Sequence, residues 1–149
     1  EPQWTEGKNV IEIGAGLGLP SFTIARNTTS LIVSDHSPEA VLQLEKNIRH
    51  RKLENVQALC LDWNSFPETI AADTLLLSDI NYAPDQFGAL LQLIRNFLEK
   101  GTDIILATPQ RLIANKFVDA LQPFVIRTES CMVEEEGLKV PVSILILSR

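Results

Sequence analysis

The chain has 149 residues, 45% of them hydrophobic and 21% charged, with 13 Lys plus Arg against 19 Asp plus Glu and a net charge of −6. That length supports a single domain with a real core. The acidic balance argues against a nucleic-acid partner, because such partners are usually met by a basic face. No apolar run approaches the roughly 20 residues needed to span a bilayer, and no signal-peptide pattern opens the sequence, so a cytoplasmic protein with no membrane partner is expected. The first residue is Glu1 and not Met, which suggests a trimmed fragment.

Strand-like and helix-like stretches alternate along the chain. Asn9–Ile13 is a short apolar run that ends in glycines, and Pro20–Arg26 suits a helical turn or two. Leu31–Ser34 reads as a second strand. Ser37 and Pro38 then start a helix as N-cap and first helical residue, with Val41, Leu44 and Ile48 on one face. Its basic end, Arg49, His50, Arg51 and Lys52, reads as a solvated terminus whose cations suit the helix dipole. Val56–Cys60 and Thr74–Ser78 are the third and fourth strands. Phe87, Leu90, Leu91, Ile94, Phe97 and Leu98 keep helical spacing, with Gly101 where the C-cap belongs. Asp103–Ala107 is a fifth strand and Leu112–Leu121 another helix.

The ending differs in kind. Phe124–Glu129 and Pro141–Ser148 are strand candidates with no helix between them, and Glu134 to Gly137 is turn-like, which predicts an antiparallel hairpin. Ser143–Leu147 is nearly all apolar, as for a strand buried on both faces, whereas Phe124–Glu129 is mixed, as for an edge. The expected fold is therefore α/β: a doubly wound, mostly parallel seven-stranded sheet whose antiparallel last strand lies between the fifth and the sixth. Cys60 and Cys131 show neither metal-ligand spacing nor a disulfide framework. Buried free thiols in a reducing compartment and no metal site are expected.

The central motif is Glu12-Ile13-Gly14-Ala15-Gly16-Leu17-Gly18, between the first strand and the first helix. Ligands of open α/β sheets bind at the carboxyl ends of strands, and glycines there let a ligand approach the backbone. A dinucleotide fingerprint places its third glycine one position later, where this chain has Leu19. Glu12, two residues before Gly14, would repel a pyrophosphate but suits a ligand that carries an ammonium and a sulfonium. Asp35, about 20 residues beyond the turn, can accept hydrogen bonds from both ribose hydroxyls, and its removal is expected to weaken binding without unfolding the chain. Asp62 and Trp63 follow the third strand as an acceptor and an apolar wall. Ser78, Asp79, Ile80, Asn81 and Tyr82 follow the fourth, where an Asp and a Tyr face the crevice.

These pieces resemble the class I methyltransferase superfamily, and more closely the seven-strand protein lysine methyltransferases called methyltransferase family 16. The resemblance runs from about Lys8 to Ser148 and rests on Val10 to Pro20, Asp35, Leu61-Asp62-Trp63, and Asp79-Ile80-Asn81-Tyr82 as an Asp-x-x-Tyr motif. It implies S-adenosylmethionine as cofactor. Gly14, Ala15 and Gly16 would line its methionine part, Asp35 would bind ribose, Asp62 and Trp63 would flank adenine, and Ser78 would lie against the cofactor. Asp79 and Tyr82 would face the acceptor amine as the catalytic pair. Two features depart from the family. The usual upstream segment with a Trp-Pro pair has no counterpart around Trp4, so residues 1–149 are expected as one methyltransferase domain lacking that covering segment or more open than its relatives. Asn81 also gives a faint likeness to the Asn-Pro-Pro-Tyr motif of amide and nucleobase amine methyltransferases, without the prolines. The expected activity is methyl transfer to a protein lysine. A small-molecule acceptor methylated on N or O, or a non-catalytic scaffold of the same fold, are the competing readings.

Overall fold

The structure is a computed structural model, and it describes residues 2–81, 83–110, 115–135 and 137–149. Tyr82, residues 111–114 and Glu136 lie outside the described residues. The strands are β1 (Asn9–Ile13), β2 (Ser30–Asp35), β3 (Val56–Cys60), β4 (Thr74–Ser78), β5 (Asp103–Pro109), β6 (Val125–Glu135) and β7 (Leu138–Leu147). They form one sheet in the order β3-β2-β1-β4-β5-β7-β6, as expected for the last strand. The helices are α1 (Leu19–Ile24), α2 (Pro38–Arg51), α3 (Phe87–Glu99) and α4 (Asn115–Leu121). By its contacts the chain divides into two compact units, Glu1–Leu76 and Leu77–Arg149.

In the first unit, β1 pairs parallel with β2, and β2 with β3. Val10, Ile11 and Ile13 of β1 and Leu31 and Val33 of β2 are buried, the pattern of strands covered on both faces. The Ser37 hydroxyl caps α2 by accepting from the Ala40 amide, with Pro38 in the first turn. Val41 and Leu44 are buried on this helix, while Ile48 is only half-buried. At its basic end, the Arg51 guanidinium lies 5.2 Å from the centroid of the Phe22 ring of α1, a cation–π contact. The helix closes on Lys52, which is left-handed at φ 53°. The Lys52 and Leu53 amides donate to Arg49 O and Ile48 O, the paired bonds of a Schellman ending.

In the second unit, α3 buries Leu90, Leu93, Ile94, Phe97 and Leu98. Leu93 joins the face that the spacing marked, and Leu91 is only half-buried. This helix ends in the same motif, with Gly101 at φ 81° and amide bonds from Gly101 to Leu98 and from Thr102 to Phe97. The rings of Phe87 and Phe117 meet at 5.2 Å between centroids, and Phe117 and Leu121 of α4 are fully buried.

β7 runs antiparallel to both β5 and β6. The hairpin is longer than expected: its ladder continues to Glu135 opposite Leu138, so Glu134 belongs to strand and not to a turn. Glu134 stands opposite Lys139, and an opposite-charge cross-strand pair supports a solvated ribbon. The expectation that Ser143–Leu147 is buried on both faces holds only for Leu145, Ile146 and Leu147; Ser143 and Ile144 are half-buried although β5 and β6 still flank them, and Ser143 lines a cavity. Beyond them β5 ends at Pro109, opposite Val142. Pro141, which has no N–H to give, lies just past that end. Both cysteines are exposed and not buried. Cys60 closes β3 and Cys131 lies in β6, the two edge strands, where a residue has a strand on one side only.

The two helix endings generate a paired test. A left-handed residue with a Cβ is strained by roughly 1–2 kcal/mol, of which glycine gives back part in chain entropy. We therefore expect Lys52→Gly to stabilise the protein by about 0.5–1 kcal/mol, raising Tm by about 2 °C, and Gly101→Ala to lower it. Thermal denaturation of both variants checks the assignment, and a lower Tm for Lys52→Gly contradicts it.

Candidate functional site

The glycine turn is built by main-chain bonds that bend it over the strand ends. The Ala15 amide donates to Ser34 O, and the Gly18 amide donates to Ala15 O, at 2.9 and 2.7 Å. Gly14, Gly16 and Gly18 all have positive φ, at 71°, 53° and 70°. Two of them carry distinct demands. A Cβ on Gly18 would come within 2.7 Å of the Leu44 side chain and 2.9 Å of the Phe22 ring, so this glycine lets α1 pack against α2. A Cβ on Gly16 would meet only open space, and its amide donates to Asp35 Oδ2 at 2.9 Å. The turn is thus tied to the end of β2 through a carboxylate, on a side left open for a ligand.

Asp35 is buried, and its other oxygen accepts from the Ser37 amide at 3.0 Å and lies 3.3 Å from His36 Nδ1. A carboxylate has about four lone-pair sites, so capacity for further donors remains. The His36 ring lies 6.3 Å from the Trp63 ring, tilted by 42°. Gly16, Asp35 and Trp63, which the sequence marked, are therefore connected in space, with His36 as the link that it did not mark. Asp62 is exposed and caps the short turn Trp63–Ser65, its Oδ1 accepting from the Asn64 amide and side chain at 2.8 and 2.9 Å, and these bonds hold its pKa below the usual carboxylate range.

Glu12 is the exceptional group. It is 1% exposed, in the middle of a buried strand, and neither carboxylate oxygen has a hydrogen-bond partner. Burial pushes its pKa up to about 7 from 4.5, and the nearby Ser21 hydroxyl and amide offset this only in part. Neither makes a bond of ordinary geometry, since both Glu12 oxygens and the Ser21 hydroxyl are buried without a partner. A buried acceptor left unmet costs about 1–3 kcal/mol, more if charged, so the strand holds a carboxylate whose needs the protein does not meet. An ammonium would meet them; a phosphate would not.

In the second unit, Ser78 is half-buried at the end of β4. Asp79 is exposed and left-handed at φ 50°, with its amide donating to Ala107 O at 2.9 Å. Non-glycine residues held in that region cluster at functional sites. Asn81 is buried, and its Oδ1 accepts from the Thr108 hydroxyl at 2.9 Å while its Nδ2 has no partner. Tyr82, the other half of the expected acceptor pair, lies outside the described residues.

Two residues of the first unit escaped sequence reading. Ser21 sits beside Glu12 and His36 beside Trp63. Their only signals were position, one in the first turn after the glycines and the other directly after Asp35. Among the described residues, no group of three His, Cys, Asp or Glu side chains could hold a metal ion.

Two substitutions test this geometry. Glu12 has a folded pKa above its unfolded value, so the native state binds more protons between about pH 4.5 and 7. Its effect on stability is therefore absent below that window and destabilising above it. We expect Glu12→Gln to gain on the order of 3 kcal/mol relative to wild type above pH 7, and less at pH 5, by chemical denaturation across pH. A wild-type advantage that persists at pH 8 contradicts an unmet buried carboxylate. Asp35→Ala leaves the Gly16 and Ser37 amides without their acceptor, so it is expected to destabilise by about 1–3 kcal/mol in addition to weakening binding. Asp35→Asn keeps one acceptor and should lose less.

Residues 1–124 match methyltransferase family 16, described as lysine methyltransferase. A calmodulin-lysine N-methyltransferase of Arabidopsis thaliana is 28% identical over 122 residues, covering 74% of this chain and 40% of that protein. The human histone-arginine methyltransferase METTL23 is 28% identical over 104 residues, covering 66% of this chain and 55% of that protein. The chain thus spans about half the length of these curated relatives. The crystal structure of the N-methyltransferase NodS from Bradyrhizobium japonicum, in complex with S-adenosyl-L-homocysteine, superposes with a TM-score of 0.77 at 15% identity, over 99% of this chain and 82% of that one. At that identity the likeness concerns the fold. With the family match extending over 124 of its 149 residues, the chain belongs to the lysine methyltransferases of methyltransferase family 16.

Proposed function

We propose that the chain is the cofactor-binding core of an S-adenosylmethionine-dependent methyltransferase whose acceptor is a lysine amine on a protein. The observation that carries the reading is Glu12, a buried carboxylate with both oxygens unmet beside a glycine turn. An amino-acid ammonium is the kind of group that satisfies it, and a dinucleotide has none to offer at that point. The lysine-directed family and the lysine methyltransferase relative support the acceptor class. The arginine-directed relative favours a guanidinium as the second reading.

The cofactor, when bound, supplies an electrophilic methyl group on a sulfonium. The chain's own residues do the rest by holding and orienting. Glu12 holds the ammonium, Gly14 to Gly16 give the backbone room to approach, and Asp35 accepts from the ribose hydroxyls while it pins the turn. Trp63 and His36 flank the base, with Asp62 as a polar neighbour and Ser78 on the cofactor side. In-line methyl transfer needs little covalent help, so alignment and exclusion of water carry most of the rate. A lysine amine, with a reference pKa near 10.4, must lose its proton before it attacks. Asp79 holds the amine by a charge-assisted hydrogen bond and Tyr82 aims its lone pair. Among the described residues no helix is long and apolar enough to cross a membrane, and two free thiols suit the reducing cytoplasm that this reading assigns.

Two measurements test the proposal. Calorimetry should detect binding of S-adenosylhomocysteine and none of NAD; comparable affinities would falsify it. Asp79→Asn should lower turnover by about 100-fold or more, within the range of a positioned proton-handling group, and leave cofactor affinity nearly unchanged. Labelled cofactor with a host lysate supplies the assay, and label that enters small molecules and not protein overturns the acceptor class.

A further inference from the structure

The C-terminal unit holds a cavity of about 280 Å³ that the proposed chemistry does not use. Register explains how it forms. Thr108 of β5 stands opposite Ser143 of β7, and Leu145 of β7 stands opposite Thr128 of β6. Cross-strand partners share a face, as do residues two apart on one strand. Three strands therefore present hydroxyls and one leucine side by side, and Asp119 and Val118 of α4, with Gln122 after it, line the same space.

The described lining is rich in hydroxyls and amides, all of which can accept a hydrogen bond. Among the described residues of the lining, Asp119 is the only carboxylate, and no Lys or Arg is among them. Gln110 Nε2 donates to Ser143 Oγ at 3.0 Å, which leaves the Gln110 carbonyl as an acceptor. Val118 and Leu145 add apolar wall. A carboxylate among hydroxyls and amide oxygens favours a cation, and the apolar wall suits an aliphatic stem. The volume lies just below the roughly 300–1,000 Å³ of pockets for drug-sized ligands, so a single side chain fits better than a nucleoside.

The cavity also adjoins the loop that carries Asp79. Thr108 lines the cavity and donates its hydroxyl to Asn81 Oδ1 at 2.9 Å, and its neighbour Ala107 accepts the Asp79 amide at 2.9 Å. One strand end therefore supports both. We propose that this cavity receives a lysine or arginine side chain of the acceptor protein flanking the one that is methylated, with Asp119 as its counter-ion. The acceptor-protein half of this statement rests on the function proposed above; the basic specificity of the cavity does not.

The test uses the whole chain, ¹⁵N-labelled, titrated with three probes: the Nα-acetyl methylamides of arginine, lysine and norleucine. The basic probes should shift the amides of Thr128 and Ser143, on strands away from Asp119, and norleucine should not. Asp119→Asn should weaken the basic probes about two- to fivefold, the range for a solvent-accessible ion pair. Equal shifts with norleucine would mean an apolar cavity, and shifts confined to the surroundings of Asp119 would mean surface pairing alone; either result, or no shift at all, overturns the proposal. No methyl transfer is read, so its failure is separable from that of the functional reading. Cofactor binding without probe binding sinks only the cavity, whereas probe binding without cofactor binding leaves a basic-side-chain site and removes the methyl acceptor from it.

Discussion

A carboxylate stands where the fold least accommodates one. Glu12 lies between Ile11 and Ile13 on a strand buried on both faces, and neither of its oxygens is hydrogen-bonded. Burying an ionised group without a partner is among the largest local costs a domain can carry, and proteins meet it by neutralising the group or by pairing it. Here the unliganded protein neutralises it in part, with a pKa of about 7. The surrounding parts read as consequences of keeping an approach to that group open. The glycine turn bends away beside it, the Asp35 carboxylate holds the turn by the Gly16 amide, and no side chain at Gly16 fills the space.

Asp35 and Asp79 illustrate two ways in which a strand end prepares a polar group. Asp35 is held rigidly by main-chain donors, so it is both a structural tie and an acceptor with capacity to spare. Asp79 is placed by backbone conformation, at positive φ with its amide fixed to the next strand's end. The first arrangement gives precision at little conformational cost. The second stores local strain that the β5 contact pays to maintain.

Much of the fold was legible in the sequence because its signals are local. Asn9–Ile13, Val56–Cys60 and Thr74–Ser78 match their strands residue for residue, since glycines or polar loops bound each apolar run. The position of β7 followed from its apolar side chains. Features set by distant partners were less visible. The hairpin outran its apolar stretch, with Glu134 opposite Lys139 in the ladder, and the cysteines are exposed on strands that are edges. Within the site, the glycines and acids were readable from spacing. Ser21 and His36 were not, because a serine after a proline and a histidine after an aspartate carry no pattern of their own; only folding brings them to Glu12 and Trp63. Asp62, marked as an acceptor, spends one oxygen capping its own loop, a use that spacing does not distinguish from ligand binding.

The most direct test of this account is the number of protons released when S-adenosylhomocysteine binds, measured by calorimetry in buffers of differing ionisation enthalpy. If an ammonium pairs with Glu12, the bound state needs the carboxylate ionised, whereas the free protein with a pKa of about 7 holds it mostly protonated at pH 6. The account predicts release of close to one proton at pH 6, falling toward none above pH 8, with affinity rising up to about tenfold per pH unit below 7. Glu12→Gln should abolish the release and weaken binding. Binding that is tight, releases no proton at pH 6 and is unchanged in Glu12→Gln would contradict it.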